Sequence, residues 1–474
     1  MFRAKPKVVC LSSLFATDRV LLHSTFLDRL APYVEPIILS DAVNEASFPQ
    51  DHRHGRYFQS VKLPKGFPYQ LTLLRHFETY LWDHKAMSAS RESFWRLRKG
   101  AESPRHERIM RSAAKAISPF GIESWLEQKL EKALIKRGAP AETVKWLREE
   151  KPDVVLAMHP FLESQMATVA AAKNIGVPVL AFITSWDNIT TKSRLIYQYD
   201  GYIVWSEQMK KELHQFYPQS RNRPVTIAGA PQYDVFKQPQ YHISRESFLN
   251  LYGLDAARPV ILYCLGSPNM IREDYGALQF VERIANHETL SKAQVIIRAH
   301  PGHLEKDLTE LEKIRRCFPS VVIQGPHRHW RKFPFQGEEA IIEWVNTVRH
   351  ADVVINLSST MSVDAAIFDR PIINLDFDPE PGSPNQQMVI EVNRSWNHFS
   401  PIAQSGGIWM VSSIDEMIVA TATYLKSPEL HSEHRLRIVE HVCGKVDGFA
   451  GKRMAEAVIQ LLTPRYYSPA SNGT

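Results

Sequence analysis

One stretch, Ala351 to Phe377 (ADVVINLSSTMSVDAAIFDRPIINLDF), leaves little choice of local structure. Val353, Val354 and Ile355 form a short apolar run with two β-branched residue types, the composition of a strand buried on both faces of a parallel sheet. The run stops at Asn356, and Ser358, Ser359 and Thr360 follow, small hydroxyl residues of the kind that open helices. The pattern predicts a short helix from Met361 to about Phe368, which Arg370-Pro371 ends before Ile372-Ile373 begins the next strand. Strand, crossover helix and strand together put the hydroxyl cluster at a strand's carboxyl end, where open α/β sheets hold ligands. Free N–H groups at the helix start suit an anion, and Asp364, one turn past Thr360, would then reach a ribose hydroxyl. An ordinary capped crossover helix with a solvated Asp364 fits the same letters.

The rest of the chain repeats this alternation. Lys7–Ser12, Val34–Ser40 and Phe58–Leu63 read as strands, with a helix over 17–30, but no G-x-G-x-x-G loop opens the unit. From about 69 to 150 the pattern turns helical, broken near Ser103-Pro104 and Ser118-Pro119. Asp153–Met158, Val177–Ile183, Gly201–Trp205 and Pro224–Ala228 resume the strands. Residues 237–258 are polar and read as a linker. Pro259–Leu265, Gln294–Ala299 and Val321–Gln324 then start a second series that includes the stretch above. The expected organisation is a first Rossmann-like domain over 1–236 with its helical insert, a linker over 237–258, a second over 259–462 and a flexible tail over 463–474. Two doubly wound parallel sheets would face each other across a cleft.

A chain of 474 residues is too long for one core, and 44% hydrophobic with 23% charged residues is the composition of a soluble globular protein. No apolar run approaches the roughly 20 residues that span a bilayer. The N-terminal MFRAKPKVVCLSSLF reads as a first strand rather than a secretion signal, because its apolar run is short and passes into polar residues. Cys10, Cys264, Cys317 and Cys443 have no paired spacing, which points to reduced thiols in the cytoplasm and to neither disulfides nor a zinc site. A net charge of +6 permits anionic substrates or a membrane surface and makes no case for nucleic acid.

Each candidate for chemistry follows a strand. Gly266-Ser267 would bring backbone N–H groups to a phosphate, and Arg298 and His300 would pair with its oxygens. Asp187, between Trp186 and Asn188, is the first general-base candidate and His159 the second; an Asx turn accounts for Asp187 equally well. No activated Ser or Cys and no metal-ligand cluster stands out, so neither metal nor cofactor is expected. The stretch from Arg91 to Lys115 is strongly basic, and Arg96, Arg98 and Lys99 are candidates for an acceptor or anionic membrane face; a solvated helix face is the plainer reading.

Several blocks, in order, resemble the two-domain glycosyltransferases of the GT-B fold. They are Gly229-Ala230-Pro231-Gln232-Tyr233-Asp234, Arg298-Ala299-His300-Pro301, Ser358-Ser359-Thr360 with Asp364, and Asp447-Gly448-Phe449-Ala450 with Arg453. The nearest in character are bacterial surface-polysaccharide and CDP-glycerol glycerophosphotransferase-like enzymes and the UDP-GlcNAc 2-epimerases. The resemblance implies a nucleotide-sugar donor on the second domain, with the hydroxyl loop and His300 at the diphosphate and Asp364 at the ribose. It implies a glycan or lipid-linked acceptor on the first domain, with Asp187 or His159 as base. The implied activity is metal-independent glycosyl transfer in the cytoplasm, peripheral to the inner membrane face. Polyol-phosphate transfer, hydrolysing epimerisation and non-catalytic nucleotide-sugar binding are the alternatives. Related transferases carry Glu where this chain has the shorter Asp364.

Overall fold

The computed structural model describes residues 5–466 apart from 13–14, 45–47, 50, 61–63, 65, 100–104, 193, 268–270, 301–308 and 326–336. The chain divides into two compact units, Met1–Lys237 with Cys443–Thr474, and Gln238–Val442. The first is built on β1 (Lys7–Leu11), β2 (Glu35–Leu39), β3 (Phe58–Gln59), β4 (Val154–Ala157), β5 (Val179–Phe182), β6 (Gly201–Val204) and β7 (Val225–Ile227). The second holds β8 (Val260–Cys264), β9 (Gln294–Arg298), β10 (Val322–Gln324), β11 (Val353–Asn356), β12 (Ile372–Leu375) and β13 (Trp409–Val411).

The strand orders are β3-β2-β1-β4-β5-β6-β7 and β10-β9-β8-β11-β12-β13, and every pairing is parallel. Both sheets are doubly wound. The chain works outward from β1 or β8, then crosses back to lay β4 or β11 on the other side. The point of reversal is where such sheets open a crevice at the strands' carboxyl ends. Parallel strands need helical crossovers on both faces, so the central ones carry apolar residues without alternation. In the second sheet, Val353 pairs with Ile261 and Ile355 with Tyr263. All four are fully buried, in one core with Phe280 and Val281 of the Glu273–Ala285 helix.

The expected domain boundaries need correction at both ends. Residues 238–258 belong to the second unit. Arg245 fixes them there, donating to Asp352 at 2.8 Å and, at 3.0 Å, to the Arg258 carbonyl. The final helix, Ala450–Tyr466, belongs to the first unit and packs on the Phe26–Leu30 helix. It also runs into the span expected as tail; residues 467–474 lie outside the described ones.

The Asp234 carboxylate holds that return. It is 2% exposed and accepts from the Ala450 and Gly451 N–H groups at 2.9 Å and from the Thr25 hydroxyl at 2.8 Å. Burial pushes its carboxyl up, against those donors, which pull it down. Gly451 is required: a Cβ there would lie 2.6 Å from the Phe26 nitrogen. Arg453 completes the clasp, donating to the Ala228 carbonyl at 2.7 Å and pairing with Asp447 at 2.9 Å. Two of the sequence blocks quoted above are therefore one structural joint.

The helical insert docks through buried charge. Arg194 and Glu78, each with a side chain 2% exposed, form an ion pair, and Arg194 also reaches Glu127 at 2.6 Å. Arg91 pairs with Asp83 at 2.5 Å, and Arg111 stacks on Tyr80 and Trp95, 4.2 and 4.4 Å from the ring centres. These two arginines of the basic stretch thus face inward. Arg96 is exposed, and the Arg98 and Lys99 side chains lie outside the described residues.

Asp234→Ala orphans two buried N–H groups, so it should cost about 2–4 kcal/mol. The loss should appear as a lower midpoint for the first unit's transition in calorimetry, with the second unit's transition unmoved.

Candidate functional site

At the reversal point of the second sheet, the loops after β8 and β11 are joined by an acid that the sequence reading missed. Glu273, 2% exposed, is the first residue of the Glu273–Ala285 helix, and its carboxyl accepts from the Gly266 N–H. It also bonds the Leu357 backbone, and its Oε1 has no hydrogen-bond partner. Burial pushes this carboxyl up to about 8, over the pull of those backbone groups. A signal was present: Glu273 lies on the apolar stripe of its helix with Ala277, Phe280 and Ile284, where a carboxylate does not belong unless it has a task.

The hydroxyl loop after β11 is held by amides. Ser358 has a left-handed backbone (φ +44) although it is not glycine. Its N–H donates to Asn374 Oδ1 and its hydroxyl to Asn393 Oδ1, both at 2.7 Å. The Ser359 N–H donates to Asn356 Oδ1 at 3.2 Å, and Ser359 Oγ accepts from the Met361 N–H at 3.3 Å. Thr360 is exposed. The Asn356 side chain is fully buried, and its Nδ2 has no acceptor. At adjacent strand ends, then, one buried amide nitrogen and one buried carboxyl oxygen lack partners.

His300 follows β9, half-buried, and burial lowers it to about 4, so the imidazole is neutral at pH 7. Ser267 is half-buried beside Gly266. Arg298 Nη1 donates to Gln324 at 2.8 Å and lies 3.4 Å from Glu343. Asp364 is 3% exposed and accepts from the Trp344 indole at 2.8 Å, which braces the short Met361–Ile367 helix.

The first unit gathers a second set of groups, again at its reversal point. His159 follows β4 and is 4% exposed. Its N–H donates to Gln165 Oε1 at 2.8 Å, and the Gln165 amide reaches the Leu11 carbonyl of β1 at 2.9 Å. Its ring Nδ1 has no partner. Burial, then the cation of Lys192, lower the imidazole to about 4 against the opposing pull of Asp187. Asp187 sits at the start of the Asn188–Thr191 turn, taking the Thr191 hydroxyl at 2.8 Å and the Asn188 amide at 3.2 Å. That is the local turn geometry the sequence also allowed.

Glu212, 5% exposed on the Glu207–Phe216 helix, is near enough to feel Asp187. Burial, with that like charge, lifts it to about 7 over the pull of Gln208. Glu212 is a raised carboxyl that the sequence reading did not name. Glu212 too lies on an apolar stripe, with Met209, Leu213 and Phe216. Among the described residues no group of His, Cys, Asp and Glu could hold a metal ion.

The folded state holds the Glu273 proton up to about pH 8, whereas an unfolded carboxyl releases it near 4.3. Its contribution is complete below that lower value and is lost as pH rises toward 8. Glu273→Gln should flatten the decline between pH 5 and 8, by up to about 1.4 kcal/mol per pH unit. Denaturant titrations of both proteins across that range check this.

No protein-family model matches the sequence, and no curated protein is significantly similar to it. Solved structures do resemble it. The Staphylococcus aureus MnaA–UDP co-structure superposes with a TM-score of 0.55 at 13% identity, covering 99% of this chain and 100% of that one. A putative UDP-N-acetylglucosamine 2-epimerase from Listeria monocytogenes gives 0.56 at 14% identity, with 98% of each chain covered. A glycosyltransferase from Rickettsia africae gives 0.50 at 9%, covering 98% and 100%. With both sheets parallel and in these strand orders, the chain has the GT-B fold.

Proposed function

We propose that this protein is a nucleotide-sugar-dependent glycosyltransferase acting on a polysaccharide or lipid-linked acceptor, with the donor on the second unit. The observation that carries the reading is the convergence at the β8, β9 and β11 ends of Gly266, the amide-braced Ser358–Thr360 loop and neutral His300. Small hydroxyl side chains on a loop held by its own backbone bonds, and a neutral imidazole beside it, suit a diphosphate that gains charge as it leaves. On the first unit, His159 is the base: a neutral ring with an unpaired nitrogen can take the proton of an acceptor hydroxyl. Glu212, half-protonated near pH 7, supplies or holds a proton beside Asp187.

Hydrolysing epimerisation is the second reading, favoured by the superposed UDP-GlcNAc 2-epimerases at TM-scores of 0.56 and 0.54. The two differ in products. A hydrolysing epimerase releases UDP and a free epimerised sugar from UDP-GlcNAc and water, whereas a transferase releases nucleotide only with acceptor present.

Thermal unfolding against UDP-, CDP-, GDP-, dTDP- and CMP-sugars tests the donor site. One nucleotide class should stabilise the second unit, by about 2.7 kcal/mol at 100 times its dissociation constant. Ser359→Ala and His300→Ala should each weaken that shift. His159→Ala should keep it while turnover falls by about 100-fold or more. If none of these nucleotides moves the transition, the reading fails.

A further inference from the structure

We propose that the outer face of the Arg105–Ile117 and Glu123–Arg137 helices docks on an anionic lipid bilayer. Both helices pack on the Tyr69–Ala86 helix. The first turns Met110, Arg111 and Ala114 inward, and the second turns in Leu126, Leu130 and Leu134. Two of the three acids of the second helix are drawn in as well: Glu127 lies 2.6 Å from Arg194, and Glu131 lies 4.0 Å from Lys173. With Glu107 and Glu123 half-buried, the fully exposed charges are one-signed. The first helix exposes Arg105, Arg108 and Lys115, the second exposes Lys129, Lys132, Lys136 and Arg137, and neither has an exposed acid.

Large apolar side chains stand among these cations. Ile109 is 69% exposed, Phe120 76% and Trp125 60%. Phe120 is at the turn between the helices, just before Gly121 with its left-handed φ of +63. A purely electrostatic partner leaves three such side chains in water. A bilayer takes both parts, because lipid phosphates pair with Lys and Arg while aromatic rings enter the interface. Among the described residues no helix is long and apolar enough to cross a membrane, so the contact is peripheral. The face keeps Arg105, Arg108 and Lys115 of the basic stretch that the sequence marked, but not Arg91 and Arg111, which are spent inside. The proposal does not depend on the donor reading, and its test contains no nucleotide.

The full chain is sedimented with vesicles of phosphatidylcholine alone and with vesicles of phosphatidylcholine and phosphatidylglycerol at about two to one. We expect binding to the second only, weakened by salt. Phe120→Ser with Trp125→Ser, and separately Lys129→Glu with Lys132→Glu, should each lower partitioning by about tenfold or more with unfolding midpoints unchanged. Failure to bind the anionic vesicles overturns the proposal. So does binding that the aromatic pair does not affect, or equal binding to heparin or single-stranded DNA with the same indifference to that pair, which would make the face a general polyanion site.

Discussion

The Asp234 carboxylate is the constraint on which the rest of this architecture depends. The chain leaves its first unit just after this residue, builds all of the second, and returns at Cys443. Backbone N–H groups at the start of the returning helix have no partner within their own helix. Asp234 supplies one to Ala450 and Gly451 from the departing segment and ties Thr25 into the same knot. One buried acid thus closes the first unit across an excursion of some two hundred residues, and the glycine beside it is fixed because a Cβ would strike the Phe26 backbone.

The same economy of buried charge recurs wherever helices meet the sheets. Arg194 is committed to Glu78 and Glu127, and Arg75 to Glu163 at 3.1 Å, so the insert is held to the sheet unit by paired ions as well as by apolar contact. Breaking such a pair leaves a lone charge in a dry place, which costs far more than the pair itself contributes. Three further residues keep unmet hydrogen-bonding capacity at the ends of strands. Glu273 and Asn356 lie at the reversal point of one sheet, and His159 lies at that of the other. The doubly wound topology leaves polar groups with work to do at the carboxyl ends of strands, and in both units it does so where the strand order turns back.

Much of this was legible in the residues. Apolar runs such as Val353–Ile355 and Val260–Cys264 determine parallel strands, because only a sheet covered on both faces uses unbroken apolar sequence. Ser206 determines a helix start by accepting the Met209 N–H. Positions after each strand, His159 and His300 among them, were readable as strand ends from the alternation of elements alone. Glu212 and Glu273 were also visible, as acids on apolar helical stripes, had the stripes been read for what does not belong on them.

Other features belong to the tertiary structure alone. Arg298 and Asp364 look available in sequence, yet each is claimed by a residue distant in the chain, Glu343 and Trp344 respectively. The basic stretch from Arg91 to Lys115 reads as one patch, and folding splits it, sending Arg91 and Arg111 inward and leaving Arg105, Arg108 and Lys115 outside. The final helix carries no local mark of the unit it joins. Local propensity and periodicity act over a few residues and determine elements and their buried faces. Which distant partner meets a given charge, and to which sheet a helix returns, depends on the whole packing, and here it was settled by the hydrogen bonds of Asp234 and the paired ions of the insert.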